Sequence, residues 1–136
     1  RTVKTPKLYF YDTGLVCYLT KWSSADTAMS GAMNGALLEN YTVSEIRKSC
    51  QNAGRVPYLY YYRDKDAKEI DLIAERDGRL HPIEIKKTAA PEKKMIRSFS
   101  VIERALLLRG TGAILCLTER LGAFDRENLI VPITLI

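Results

Sequence analysis

Histidine is nearly absent from the 136-residue chain: His81 stands alone. That removes most Ser-His and Cys-His nucleophile schemes and any metal site built on several imidazoles. Neither G-x-x-x-x-G-K-S/T nor G-x-G-x-x-G occurs, so no phosphate-loop nucleotide site is expected in this fragment, and any ATP site lies elsewhere. The three cysteines, Cys17, Cys50 and Cys116, are far apart, sit in apolar context and show no C-x-x-C spacing. They suggest neither a disulfide framework nor a zinc site, and reduced cytoplasm is the default. No apolar run reaches the length of a membrane span, and "RTVKTPKLYFYD" lacks the apolar stretch of a signal peptide. The chain begins without Met and is read as a fragment of something longer.

What is present is enough for one core. At 46% hydrophobic residues the chain supports one sizeable domain and not two. Its net charge of +5 is compatible with a polyanionic partner without requiring one.

Punctuation by Gly, Pro and Asp divides the chain. "KLYFY" (7–11) reads as a strand, and Asp12 or Thr13 as the cap of a short helix over 14–22. A polar loop, "SSADTAMSG", follows. A helix is predicted over 32–50, ending before Gly54 and Pro57. Strands are predicted at 58–63, 69–76 and 79–86, then a helix over 91–108 with Pro91 in its first turn. Strands at 113–118 and 129–136 close the chain. The order predicts an α/β domain with a mixed central sheet flanked by helices, an αβββαβ core.

The informative stretch is "EIDLIAERDGRLHPIEIKK" (69–87). If Asp77-Gly78 forms a two-residue type I′ turn, Arg76 pairs with Arg79, and the register carries Asp71 opposite Glu84. Alternation places Ile70 with Leu72 on one face and Ile73 with Asp71 on the other, so both faces are partly apolar. Two carboxylates opposed in such a place repel, and burial makes both worse. A positive group between them is expected: Lys86, two residues beyond Glu84, or a divalent cation with oxygen ligands. A plain Asp71–Glu84–Lys86 salt-bridge cluster on a solvated face is the simpler alternative. Glu39 heads a helical stripe with Val43, Ile46 and Cys50. It either aims a third carboxylate at the pair or is a surface group near Arg47 or Lys48, as Glu45 is. Gly31 and Gly35 would let that helix end approach the sheet or a DNA backbone closely.

On the second helix Lys93, Arg97 and Arg104 share one face and Ile96, Phe99, Ile102 and Leu106 the opposite one. With Lys87 these form a candidate nucleic-acid contact, against the reading of an ordinary solvated face. The tyrosines of "YLYYYR" read as sheet packing ahead of base stacking.

A helix Glu, a strand Asp and Glu-x-Lys on the next strand, here "GALLE", "EID" and "IEIK", resemble the PD-(D/E)xK, or restriction-endonuclease-like, nuclease superfamily. The resemblance implies Glu39, Asp71, Glu84 and Lys86 as catalytic residues, with Asp71, Glu84 and Glu39 holding Mg²⁺ or Mn²⁺. Ile70 stands where the superfamily usually has Pro. More closely, "KTPKLYFYDTGLVCYL", "GALLENYTVSEI", "YYYRDKDAKEIDLI" and "IEIKK" resemble the C-terminal domain, of unassigned function, that follows an AAA-type ATPase module in many bacterial and archaeal ATP-binding proteins. That implies an ATPase module as partner in the same chain, with 1–30 ending a winged-helix or linker region and 31–136 forming the nuclease-like domain. The expected function is a Mg²⁺-dependent phosphodiesterase acting on DNA; the alternative is an inactive nuclease fold used for DNA or protein interaction.

Overall fold

The structure, a computed structural model, describes residues 6–136. It is a mixed α/β fold with a seven-stranded sheet flanked by helices. Helices α1 (Thr13–Leu19), α2 (Ala25–Ser30) and α3 (Asn34–Asn52) precede the antiparallel meander β1 (Tyr58–Arg63), β2 (Glu69–Arg76) and β3 (Arg79–Ile85). A 3-10 helix (Lys93–Arg104) leads to β4 (Leu108–Arg109), β5 (Gly112–Cys116), β6 (Gly122–Ala123) and β7 (Asn128–Pro132), and a 3-10 turn (Ile133–Leu135) follows. The sheet order is β1-β2-β3-β5-β7-β6, with β4 beside β3. β3, β5 and β7 run parallel, and β6 returns antiparallel to β7. Parallel neighbours need both faces covered. α3 covers one with Leu38 and Val43 against Leu72, Ile85 and Leu115; the 3-10 helix covers the other with Ile96, Phe99 and Ile102 against Ile70, Ile73 and Ile114. None of the described helices is long and apolar enough to cross a membrane.

The hairpin forms as its turn chemistry demands. Asp77 and Gly78 both have positive φ, 52° and 73°, and Arg76 pairs with Arg79. Asp12 caps α1, its carboxylate accepting from the N–H groups of Gly14 and Leu15.

Several expectations are corrected. Residues 7–11 form no strand. Their backbone is met instead by side chains of α3: Phe10 N donates to Asn40 Oδ1 at 2.7 Å, and Phe10 O accepts from Asn40 Nδ2 and from Ser44 Oγ. The expected loop 23–31 contains α2, started by a Ser24–Thr27 capping box. The helix expected over 91–108 is a 3-10 helix, because its buried residues Ile96, Phe99 and Ile102 recur every three positions and align at three residues per turn. The last strand ends at Pro132, and β4 and β6 were not expected. Gly31 approaches neither the sheet nor open space: a Cβ there would strike the Trp22 ring, while Gly35 touches nothing.

Candidate functional site

The site is built where β2 and β3 part. Their ladder runs from Arg76↔Arg79 to Leu72↔Ile83, so the next facing residues are Asp71 and Glu84, as the turn register requires. There a side chain replaces the main-chain ladder: Ile85 N donates to Asp71 Oδ2 at 2.9 Å. The strand on the other side contributes as well. β1 pairs Tyr60 with Ile73 and Tyr62 with Ile70, leaving Asp71 and Leu72 opposite the single residue Tyr61. This β-bulge resets the alternation. Ile70 and Ile73, expected on opposite faces, both pack against the 3-10 helix, whereas Leu72 joins the α3 side. Asp71 is thereby aimed at the parting strands and at α3.

Both carboxylates are buried, Asp71 at 9% exposure and Glu84 at 3%. Burial raises the pKa of Asp71, the charge of Glu39 adds to the rise, and the Ile85 N–H opposes it. Burial and the facing Asp71 push Glu84 up to about 7. Lys86 Nζ lies 3.1 Å from Glu84 Oε2, and the pairing raises the lysine pKa against the opposing effect of its own burial. The structure thus brings Asp71, Glu84 and Lys86 together at one end of the sheet, and the fully solvated cluster is not what forms.

Glu39 reaches the cluster by another route. Its Oε1 accepts from Tyr9 OH at 2.7 Å and lies 3.1 Å from Lys7 Nζ. Lys7 also pairs with Glu69 Oε1 at 2.5 Å and stands 4.0 Å from Asp71 Oδ1, with Tyr61 beneath it at 5.4 Å. Burial of Lys7 opposes its charge, but the bonds to Glu69 and Glu39 outweigh it and raise its pKa. Burial and the bond to Glu39 push the Tyr9 phenol far above its ordinary range. The surface alternative for Glu39 is therefore not observed; Glu45 does follow it, pairing with Lys48 at 3.0 Å. Lys7, Tyr9 and Glu69 were missed in the sequence. The available signal was the i, i+2 spacing of Lys7 and Tyr9 in an extended segment, which puts both on one side.

The expected basic face is not assembled. At three residues per turn Lys93, Arg97 and Arg104 point along three different directions of the 3-10 helix. Lys93 is held by Asp125 at 3.0 Å, and Lys87 Nζ donates to Met29 O of α2.

The acid pair fits a cation of the magnesium type, which takes few protein carboxylates and keeps its other positions for water and phosphate oxygen. Asp71 and Glu84 are two such carboxylates, buried together and short of positive charge. A three-acid cage is not formed: no group of three or more His, Cys, Asp or Glu among the described residues is arranged to hold a metal ion, because Glu39 is committed to Lys7 and Tyr9.

With this geometry in place, the chain's relationships can be stated. Residues 34–136, well over half of the chain, match the family described as Domain of unknown function (DUF4143), and the chain belongs to that family. Two relatives are the uncharacterized protein Rv2008c of Mycobacterium tuberculosis and the uncharacterized protein Mb2031c of Mycobacterium bovis. Each is 32% identical over 92 residues, covering 67% of this chain and 20% of the relative. The chain therefore spans about a fifth of the length of these curated relatives. No solved structure matches it at a significant level.

Proposed function

We propose that this chain is a nuclease-like module in which Asp71, Glu84 and Lys86 form a phosphodiesterase site served by Mg²⁺ or Mn²⁺, acting on DNA. One observation carries the reading: two buried carboxylates meet where strands part, with Glu84 pushed up to about 7 and Lys86 3.1 Å away. Carboxyl groups pushed up by burial and a facing acid cluster at functional sites. Asp71 and Glu84 would hold the ion, which when bound supplies Lewis acidity toward phosphate and a more acidic water. Lys86 then has two tasks open to an ammonium group beside Glu84: orienting the attacking water and neutralising charge that develops on the phosphate. Glu39 acts indirectly, by holding Lys7 against the cluster.

The order of elements supports the superfamily reading: helix, three antiparallel strands, a helical segment and a parallel strand. Glu39 lies on α3, Asp71 on β2 and Glu84 on β3, with Lys86 one residue beyond the end of β3. The partner proposed is an AAA-type ATPase module of the same polypeptide in a cytoplasmic protein. The 92 matched residues make up only 20% of each mycobacterial relative, which leaves room for one.

A second reading is favoured by Lys7. Its ammonium already stands among Glu39, Glu69 and Asp71, as a tethered cation would in a fold that no longer needs metal and serves DNA or protein interaction. Calorimetric titration of Mg²⁺ and Mn²⁺ separates the two. Binding at micromolar to low-millimolar strength, abolished by Asp71→Asn, supports the phosphodiesterase and leads to cleavage assays on single-stranded, duplex and branched DNA. Absence of binding to the wild-type chain refutes it.

A further inference from the structure

No charged residue lies on α1, and none of its residues is fully buried. Its inner side carries Thr13, Val16 and Cys17, which are half-buried. Its outer side carries Gly14, Leu15, Tyr18 and Leu19, the last three 46%, 79% and 58% exposed. A surface helix ordinarily turns polar side chains outward; here the outward stripe is as apolar as the inward one. Tyr18 and Leu19 run on into an open groove of about 520 Å³ that Trp22 also lines. Large apolar side chains left together in water in this way mark an interaction surface.

The two ends of the stripe are charged, with opposite sign. Asp12 caps the helix through Oδ1, which accepts from Gly14 N and Leu15 N, so Oδ2 stays outside the cap. At the other end Lys21 N donates to Tyr18 O and Trp22 N to Cys17 O, the closure of a Schellman motif. The closure holds Lys21 at φ 63°, where glycine is the usual residue and a side chain strains the backbone. A lysine stands there nonetheless, exposed, and it enters no ion pair among the described residues.

We propose that α1 docks on α1 of a second copy of this chain, antiparallel across a two-fold axis. In such a contact each pairing occurs twice, since the same patch serves both copies. The register that sets Asp12 of one copy beside Lys21 of the other also sets Leu15 against Tyr18 and Leu19 against Gly14. All six of these residues are exposed. Gly14 leaves the room that a facing leucine needs, because only the side chain of Asp12 comes near its outer side. The end charges select the direction: a parallel pair would set Asp12 against Asp12 and Lys21 against Lys21, which repel. An interface built on one short helix is small, so a weak, micromolar association is expected. The contact does not depend on the phosphodiesterase reading.

Sedimentation velocity of the purified chain, from low micromolar to submillimolar concentration, tests this. The expected result is a monomer that passes into a dimer as concentration rises. Tyr18→Glu should hold the chain monomeric throughout, with an unchanged melting curve at the lowest concentration because the side chain is exposed. Lys21→Gly should act in two opposite directions. It relieves the backbone strain and raises the melting temperature of the dilute chain, yet it removes the charge pair and weakens the dimer about tenfold or more. Carbodiimide coupling of mixed isotopically labelled and unlabelled chains should join Asp12 of one copy to Lys21 of the other, as read by mass spectrometry. A single monomeric species at every concentration overturns the proposal and gives the stripe to a different occupant. A dimer retained in full by Tyr18→Glu or by Lys21→Gly overturns it as well, since the contact then lies elsewhere or lacks the charge pair.

Discussion

Glu84→Gln should make the metal-free chain clearly more stable at pH 8 and only slightly more stable at pH 5. In the folded chain burial and Asp71 push Glu84 from 4.5 to about 7. A carboxyl group whose pKa is raised by folding keeps its proton longer in the native state than in the unfolded chain. Its contribution is therefore fully present below pH 4.5, is lost as pH rises toward 7, and is a constant penalty above that. At 1.36 kcal/mol per unit the full penalty is about 3 kcal/mol. Glutamine mimics the protonated acid and removes it. The variant also deprives Lys86 of its partner, but the lysine side chain is 43% exposed and returns to water at little cost. Urea unfolding of both proteins in EDTA, at half-unit steps from pH 5 to pH 8, measures the difference directly. The wild type should lose roughly 2–3 kcal/mol more than the variant across that interval. Parallel curves for the two proteins, or a less stable variant at pH 8, would refute the claim that Asp71 and Glu84 are held together against their charge.

Replacing Lys7 by Met leaves Glu39, Glu69 and Asp71 without their shared ammonium. The loss should be about 1–2 kcal/mol in EDTA, partly restored by 10 mM Mg²⁺ in a thermal melt if the acids accept a cation; no restoration would support the tethered-lysine reading. Gly31→Ala adds a methyl group against the Trp22 ring and should cost about 1–3 kcal/mol, with a shift in the emission of the chain's single tryptophan as a second readout. Phe99→Ala empties the centre of the 3-10 side of the core, where the ring is 2% exposed. A loss of about 3–5 kcal/mol in chemical denaturation is expected.

The hairpin was legible because its information is local. Asp77-Gly78 dictates a turn type, the turn dictates a register, and the register dictates that Asp71 faces Glu84. The bounds of β1 and β2 follow from the same punctuation by Gly and Pro and by charged turn residues. The 3-10 helix was not legible as such, because apolar residues at 96, 99 and 102 satisfy a helical pattern of 3.6 as readily as one of three. Only the fit against Ile70, Ile73 and Ile114 chooses between them, and that choice disperses Lys93, Arg97 and Arg104. The bulge at Asp71 was hidden for the opposite reason. It lies in the pairing of two strands, and no residue of "EIDLIAER" announces it.

Lys7 and Glu39 are 32 positions apart, so their meeting belongs to tertiary structure alone. Their contact completes a balance of charge that the sequence raised and could not close. Four carboxylates, from Glu39, Glu69, Asp71 and Glu84, gather around two ammonium groups, from Lys7 and Lys86. Two negative charges remain when all four acids are ionised. A protein without further counter-charge in reach answers such an excess by retaining a proton, and the rise of Glu84 to about 7 is that answer. The remainder equals the charge of one divalent cation. Lys7 neutralises the Glu39 and Glu69 side of the cluster, and it stands at 4.0 Å from Asp71, beyond hydrogen-bond reach. Lys86 serves Glu84. Asp71 is met instead by the Ile85 N–H, and it is the carboxylate that the bulge carries to the parting strands. Strand geometry thus leads to Asp71, and on the phosphodiesterase reading it is the carboxylate that would meet the cation first.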